Sequence, residues 1–251
     1  MLRFFRKIRQ NVLAEKQFSK YLLYALGEII LVVIGILIAL QINNWNERRQ
    51  LSNEREKLIG ALLSDAETTQ KRLEQGLGMA DNINRDLLSF MDMIQEETLE
   101  ISVDTLKAHT SAVFQVANFT PAMSAYETAV STGDIGLLKN DELLDSYVQF
   151  TDNYEWFALH QRISGDMVYM GSVWKFREKL GSTRLFMTQM GEYPERFALS
   201  DDAFYAVLRE KDTYATFESM QWLVRNQWEA LNRAQQANQT IIDLLQNLQS
   251  S

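Results

Sequence analysis

Apolar residues fall into two regimes along this chain. From Tyr21 to Leu40 they run almost unbroken, YLLYALGEIILVVIGILIAL, interrupted only by Gly27, Glu28 and Gly35. In a helix rising about 1.5 Å per residue, that stretch covers about 30 Å, the thickness of a bilayer's hydrocarbon core. From Asn46 onward the surroundings turn polar, and Leu51, Leu58, Leu62, Leu73, Leu77, Ile83, Leu87, Phe90 and Ile94 recur mostly at sums of threes and fours. That spacing predicts an amphipathic helix continuing to about Gln95, with Gly76 and Gly78 as candidate breaks.

Glu96–Ser102 reads as a turn and about Val103 to Val116 as a second helix. Thr120 and Pro121 then suit an N-cap and a first helical position, predicting a helix through AMSAYETAVS that stops at Thr132-Gly133. After a short segment, Asn140 is placed to cap a long helix from Asp141 to about Leu180, with Leu144, Tyr147, Val148, Tyr154 and Phe157 on its apolar face. Gly181 to Leu199 is irregular. Ser200 caps a helix beginning with Asp201 and Asp202, and a last helix runs from about Tyr214 to Leu248. The expected fold is therefore all-α: one N-terminal transmembrane helix (21–42) followed by an extracytoplasmic up-and-down bundle of four or more helices (43–251).

The flanks favour a retained span over a cleaved signal. The apolar run is longer than a signal peptide's, and its exit, Ala39-Leu40-Gln41-Ile42-Asn43-Asn44, offers no small-residue cleavage site. Tyr21 at one end and Trp45 at the other are interfacial anchors. Arg3, Arg6, Lys7, Arg9, Lys16 and Lys20 precede the span, and Arg48, Arg49, Arg55 and Lys57 follow it closely. That bias puts the N-terminus in the cytoplasm and the bulk of the chain outside, periplasmic in a Gram-negative inner membrane. Within 1–20, Leu2, Phe5, Ile8, Val12 and Leu13 recur at helical spacing opposite the bases. This fits either a dedicated helix on the inner leaflet or a topology signal that happens to be helical.

Glu28 is the one acid in the span. On a helix it shares a side with Tyr24, Gly35 and Ala39, and the last two form a small-xxx-small pair. An ionised carboxylate near the bilayer centre costs at least about 2.5 kcal/mol, so this face is expected to meet another helix that hydrogen-bonds Glu28. The alternative is a carboxyl that protonates or reaches the interface without a partner.

Charge narrows the partners. Residues 43–251 hold 19 of the 25 Lys and Arg but 31 of the 33 Asp and Glu, a net of −12. That argues against nucleic acid and leaves the bilayer, a membrane or periplasmic protein, or a second copy. With no cysteine, thiol catalysis and thiolate metal sites are excluded. His109 and His160 are the only histidines and belong to no metal-binding spacing. No nucleophile elbow, Walker loop or dinucleotide fingerprint occurs, and Gly133-Asp134-Ile135-Gly136 reads as a helix stop. No catalytic, metal or cofactor residue is assigned. The aromatic group Tyr147, Phe150, Tyr154, Trp156, Phe157, Tyr169, Trp174 and Phe176 reads as bundle core, with a ligand pocket as the alternative.

The first fifty residues, MLRFFRKIRQNVLAEKQFSKYLLYALGEIILVVIGILIALQINNWNERR, and the later block AYETAVSTGDIGLLKNDELLDSYVQFTDNY resemble a family of uncharacterised single-span proteins of Bacteroidetes-type bacteria, domain-of-unknown-function family 6090. The matching positions include Gly27, Glu28, Gly35, Gln41, Asn43, Asn44, Trp45, Tyr126, Gly133 and Tyr147. The resemblance implies membrane anchoring and a helical outer domain, and no activity. A non-enzymatic envelope protein acting through protein–protein contacts is therefore the expectation. The alternative is a sensory or ligand-binding bundle that signals through a membrane partner.

Overall fold

The computed structural model describes residues 18–95, 101–181 and 199–250. Among them the chain is helical and holds no strand. The described residues form seven α-helices: α1 (Phe18–Gln95), α2 (Val103–Thr110), α3 (Ser124–Thr132), α4 (Asp141–Tyr169), α5 (Ser172–Leu180), α6 (Asp201–Leu208) and α7 (Lys211–Ser250). The chain divides into two compact units, Met1–Lys57 and Leu58–Ser251.

In the first unit, α1 contains the stretch that is long and apolar enough to cross a membrane. Every described side chain from Tyr21 to Glu54 is exposed.

In the second unit, α1 changes character. Ile59, Leu62, Ala66, Thr69, Leu73, Gly76, Ala80, Ile83, Leu87 and Phe90 are buried, in alternating steps of three and four. Gly76 and Gly78 do not break the helix. Gly76 is instead a close-approach point: a β-carbon there would stand 3.4 Å from Leu231 and from Phe119.

α7 packs antiparallel to α1, since its numbering falls as that of α1 rises. Asn238 donates to the Ala66 carbonyl at 3.0 Å, Gln221 to Asn84 at 3.0 Å, and Gln95 to the Tyr214 hydroxyl at 3.2 Å. Phe90 stacks on Phe217 with ring centroids 4.3 Å apart. α4 also runs antiparallel to α7: its early residues Tyr147 and Phe150 adjoin Asn238 and Ile241, while Ser164 accepts from Gln227 at 2.8 Å. Because α7 faces two long helices, it buries a wider stripe than either, including both Phe217 and Thr216, Leu223 and Val224, Ala230 and Leu231.

The leg between α1 and α4 departs from an up-and-down array of long helices. α2 ends at Thr110 and a 3-10 turn at Phe114, short of Val116, and the chain then returns in irregular conformation before α3. Thr120 and Pro121 do not start a helix. The Thr69 hydroxyl accepts the Ala122 N–H at 2.9 Å and donates to the Ala122 carbonyl at 3.0 Å, which holds this segment out of helical pairing. The predicted helix over 141–180 is two helices. Met170 and Gly171 leave the helical region, and a β-carbon at Gly171 would lie 2.7 Å from the Met167 α-carbon.

The caps match the residues expected of them. Asn140 accepts the Leu143 N–H at 2.9 Å and Ser200 the Ala203 N–H at 3.3 Å. Gly133 ends α3 at φ +83°, a left-handed position that favours glycine. The expected turn at Glu96–Ser102 lies mostly outside the described residues, as does the irregular stretch after Gly181.

Candidate functional site

The uninterrupted α1 fixes the geometry of the candidate span face. Tyr24, Glu28, Gly35 and Ala39 lie within about 60° of one another around the helix axis. All four are exposed, Tyr24 at 80%. A β-carbon at Gly35 would meet nothing within 4 Å, so the notch made by Gly35 and Ala39 is open to an approaching helix. Glu28 has no hydrogen-bond or ion-pair partner among the described residues. Tyr21 and Trp45 are each 62% exposed, and Arg49 lies over the Trp45 ring at 5.8 Å. Arg3, Arg6, Lys7, Arg9 and Lys16 lie outside the described residues, and the side chain of Lys20 is not described.

The second unit, Leu58–Ser251, holds a polar cluster that sequence reasoning did not find. Asp65, on α1, accepts the Ala125 N–H at 2.8 Å and the Ser124 hydroxyl at 3.3 Å, at the start of α3. One turn on, Thr69 clamps Ala122, and Asn238 of α7 bonds Gln70 at 2.9 Å besides Ala66. Tyr126 stacks on Tyr147 with centroids 4.1 Å apart and planes 14° from parallel. Burial raises the Tyr147 pKa above its ordinary 10.0, and the nearby Asp65 carboxylate adds to the rise. The phenol therefore stays neutral, and the carboxylate is engaged by helix N–H and hydroxyl donors. The cluster joins α1, α3, α4 and α7. Asn238 carries a legible signal: it stands in the apolar series Ala234, Ile241, Leu245, where a polar side chain needs a buried partner.

The aromatic concentration on α4 and α5 splits. Phe150, Phe157 and Phe176 are at most 2% exposed and belong to the core, whereas Trp156, Tyr169 and Trp174 are 46%, 70% and 37% exposed. His160 is buried at 3%, and its Nδ1 lies 2.8 Å from the Trp156 carbonyl; that oxygen only accepts, so Nδ1 carries the proton. A groove between α5 and α7 is lined by Lys175, Lys179, Asp212 and Thr216. The Lys179 ammonium is already hydrogen-bonded by Glu210, which holds its pKa above the ordinary lysine value. Among the described residues no group of three or more His, Asp or Glu could hold a metal ion.

Residues 28–182, well over half the chain, match the model of a family of unknown function (DUF6090). The chain belongs to that family. The DUF6090 match begins at Glu28 and takes in Gly35, Ala39, Trp45, Asp65, Thr69, Tyr126 and Tyr147. Asn238 and Gln227, which complete the buried contacts from α7, lie beyond it. No curated protein matches the chain, and no solved structure does.

Proposed function

We propose that this DUF6090 member is a membrane-anchored, non-enzymatic envelope protein that works through protein–protein contacts. It crosses the inner membrane once at residues 21–42, with residues 1–20 in the cytoplasm and the helical domain in the periplasm. The six bases before the span, against four closely after it, support that orientation. One observation carries the interaction reading: the Glu28 carboxylate, without a partner among the described residues, sits on the same open face as Gly35 and Ala39 in an otherwise apolar stretch of α1. Intramembrane acids face protein in most cases, because lipid offers no hydrogen-bond donor. A second helix seated in the Gly35/Ala39 notch brings its backbone and side chains close enough to bond the carboxyl.

Crosslinking within intact membranes, comparing wild type with Glu28→Leu, tests this. A defined product that is lost in the variant supports a contact through the span. An unchanged pattern overturns it. A periplasm-dependent reporter fused after Ser251 is expected to be active, and activity of a cytoplasm-dependent reporter at the same site overturns the orientation.

A further inference from the structure

α4 carries a second apolar stripe, on the side away from the core. Val148, Trp156, Leu159 and Ile163 are 54%, 46%, 37% and 39% exposed. With Asp152 and Asp166 they form one series stepping by threes and fours, the seam of a helix that packs lengthwise on another. Trp222 of α7, 57% exposed, widens the stripe. The His160 ring bridges the two tryptophans, 4.6 Å from Trp156 and 5.7 Å from Trp222. Exposed apolar side chains grouped on one helix face mark a contact site.

The charges on the seam decide the occupant. Glu155 and Arg162 share one flank and offset each other, and on α7 Arg225 is taken by Glu229 at 3.2 Å. Asp152 and Asp166 remain, both exposed and without an ion pair among the described residues. They stand at equal distances either side of Leu159. A second copy packed antiparallel about Leu159 would set Asp152 against Asp166, and a parallel one would set each aspartate against itself. Either arrangement traps like charges beside apolar surface, which disfavours self-pairing and favours a partner with bases at those positions.

We propose that the outward face of α4 from Val148 to Asp166, widened by Trp222, docks an amphipathic helix of a different protein. That helix is apolar along its seam and carries Lys or Arg opposite Asp152 and Asp166. The seam is about 27 Å long, about five helical turns. The proposal rests on the reading of the chain as an interaction protein but uses a surface other than the Glu28 face.

The test uses the full-length protein in nanodiscs of zwitterionic lipid and two labelled, tryptophan-free helical peptides of roughly 20 residues. Both carry leucine along the seam; one has lysine and the other glutamate at the positions facing the aspartates. The lysine peptide is expected to bind roughly tenfold tighter by fluorescence anisotropy. The preference should reverse in Asp152→Lys/Asp166→Lys, and Trp156→Ala/Ile163→Ala should weaken both peptides. Absence of binding, equal binding of the two peptides, or a preference unchanged by the charge reversal overturns the proposal, as does self-association through Ile163 detected by site-specific crosslinking. A membrane crosslinking pattern unchanged by Glu28→Leu would remove the span contact and leave this surface standing.

Discussion

The Asp65 carboxylate caps a helix to which it does not belong. Its Oδ2 accepts the Ala125 N–H at 2.8 Å, at the start of α3, where the N-cap residue Met123 has no side-chain acceptor to offer. The same oxygen takes the Ser124 hydroxyl at 3.3 Å. A cap supplied from α1 thus replaces the local one and ties the returning chain to the long helix. Asp65→Ala is expected to cost about 0.5–2 kcal/mol of stability, and Asp65→Asn less, because the amide oxygen still accepts. Urea titrations followed by circular dichroism check both, and an unchanged midpoint in Asp65→Ala would remove the capping role.

The Tyr147 phenol next to this cap gives a pH dependence. Its folded pKa is raised, first by burial and then by the Asp65 carboxylate, above the ordinary 10.0. A raised folded pKa means that the stabilisation is fully present below the unfolded value and is lost as pH rises past it toward the folded one. Stability should therefore decline above about pH 10. Tyr147→Phe should flatten that part of the profile; an identical decline in the variant would assign it to other groups.

Gln227 and Ser164 make an isolated polar pair in the core. Both are fully buried, and the Gln227 amide oxygen has no partner among the described residues. Ser164→Ala strands the amide nitrogen as well and should cost about 1–3 kcal/mol, whereas Gln227→Leu with Ser164→Ala should be nearly neutral or stabilising. If the double variant is less stable than the single one, the pair contributes more than this geometry indicates.

Phe217 joins three helices. Its ring stacks on Phe90 of α1 and meets Phe176 of α5 edge-on at 5.4 Å. Phe217→Ala should cost about 3–5 kcal/mol and give a poorly cooperative melt. A loss below about 1 kcal/mol would show that the site collapses to fill the space.

The α4–α5 corner depends on a missing side chain. With Met167 backbone only 2.7 Å from where a β-carbon would sit, Gly171→Ala forces the backbone to move. A lowered melting temperature is expected, and faster amide exchange confined to 165–180 should accompany it.

Much of this protein was written locally in the chain. The apolar run at 21–40, the threes-and-fours of α1, and the caps at Asn140, Gly133 and Ser200 each depend on neighbours within a turn or two, so their meaning needs no knowledge of distant residues. The candidate face of Glu28, Gly35 and Ala39 was legible for the same reason: a continuous helix converts spacing directly into direction. Tertiary structure decided what depends on contacts far apart in sequence. Thr120 and Pro121 look like a helix start, yet Thr69, some fifty residues earlier, takes both backbone groups of Ala122 and moves the start to Ser124. The apolar face predicted for α4 included Val148, which is exposed, and left out His160, which is buried, because α7 and not periodicity alone chooses which stripe is covered. The outward stripe through Trp156 and Ile163 became visible only once the other side of α4 was filled. A helix shows its apolar positions in sequence, but only its packing partners determine which of them remain open to another protein.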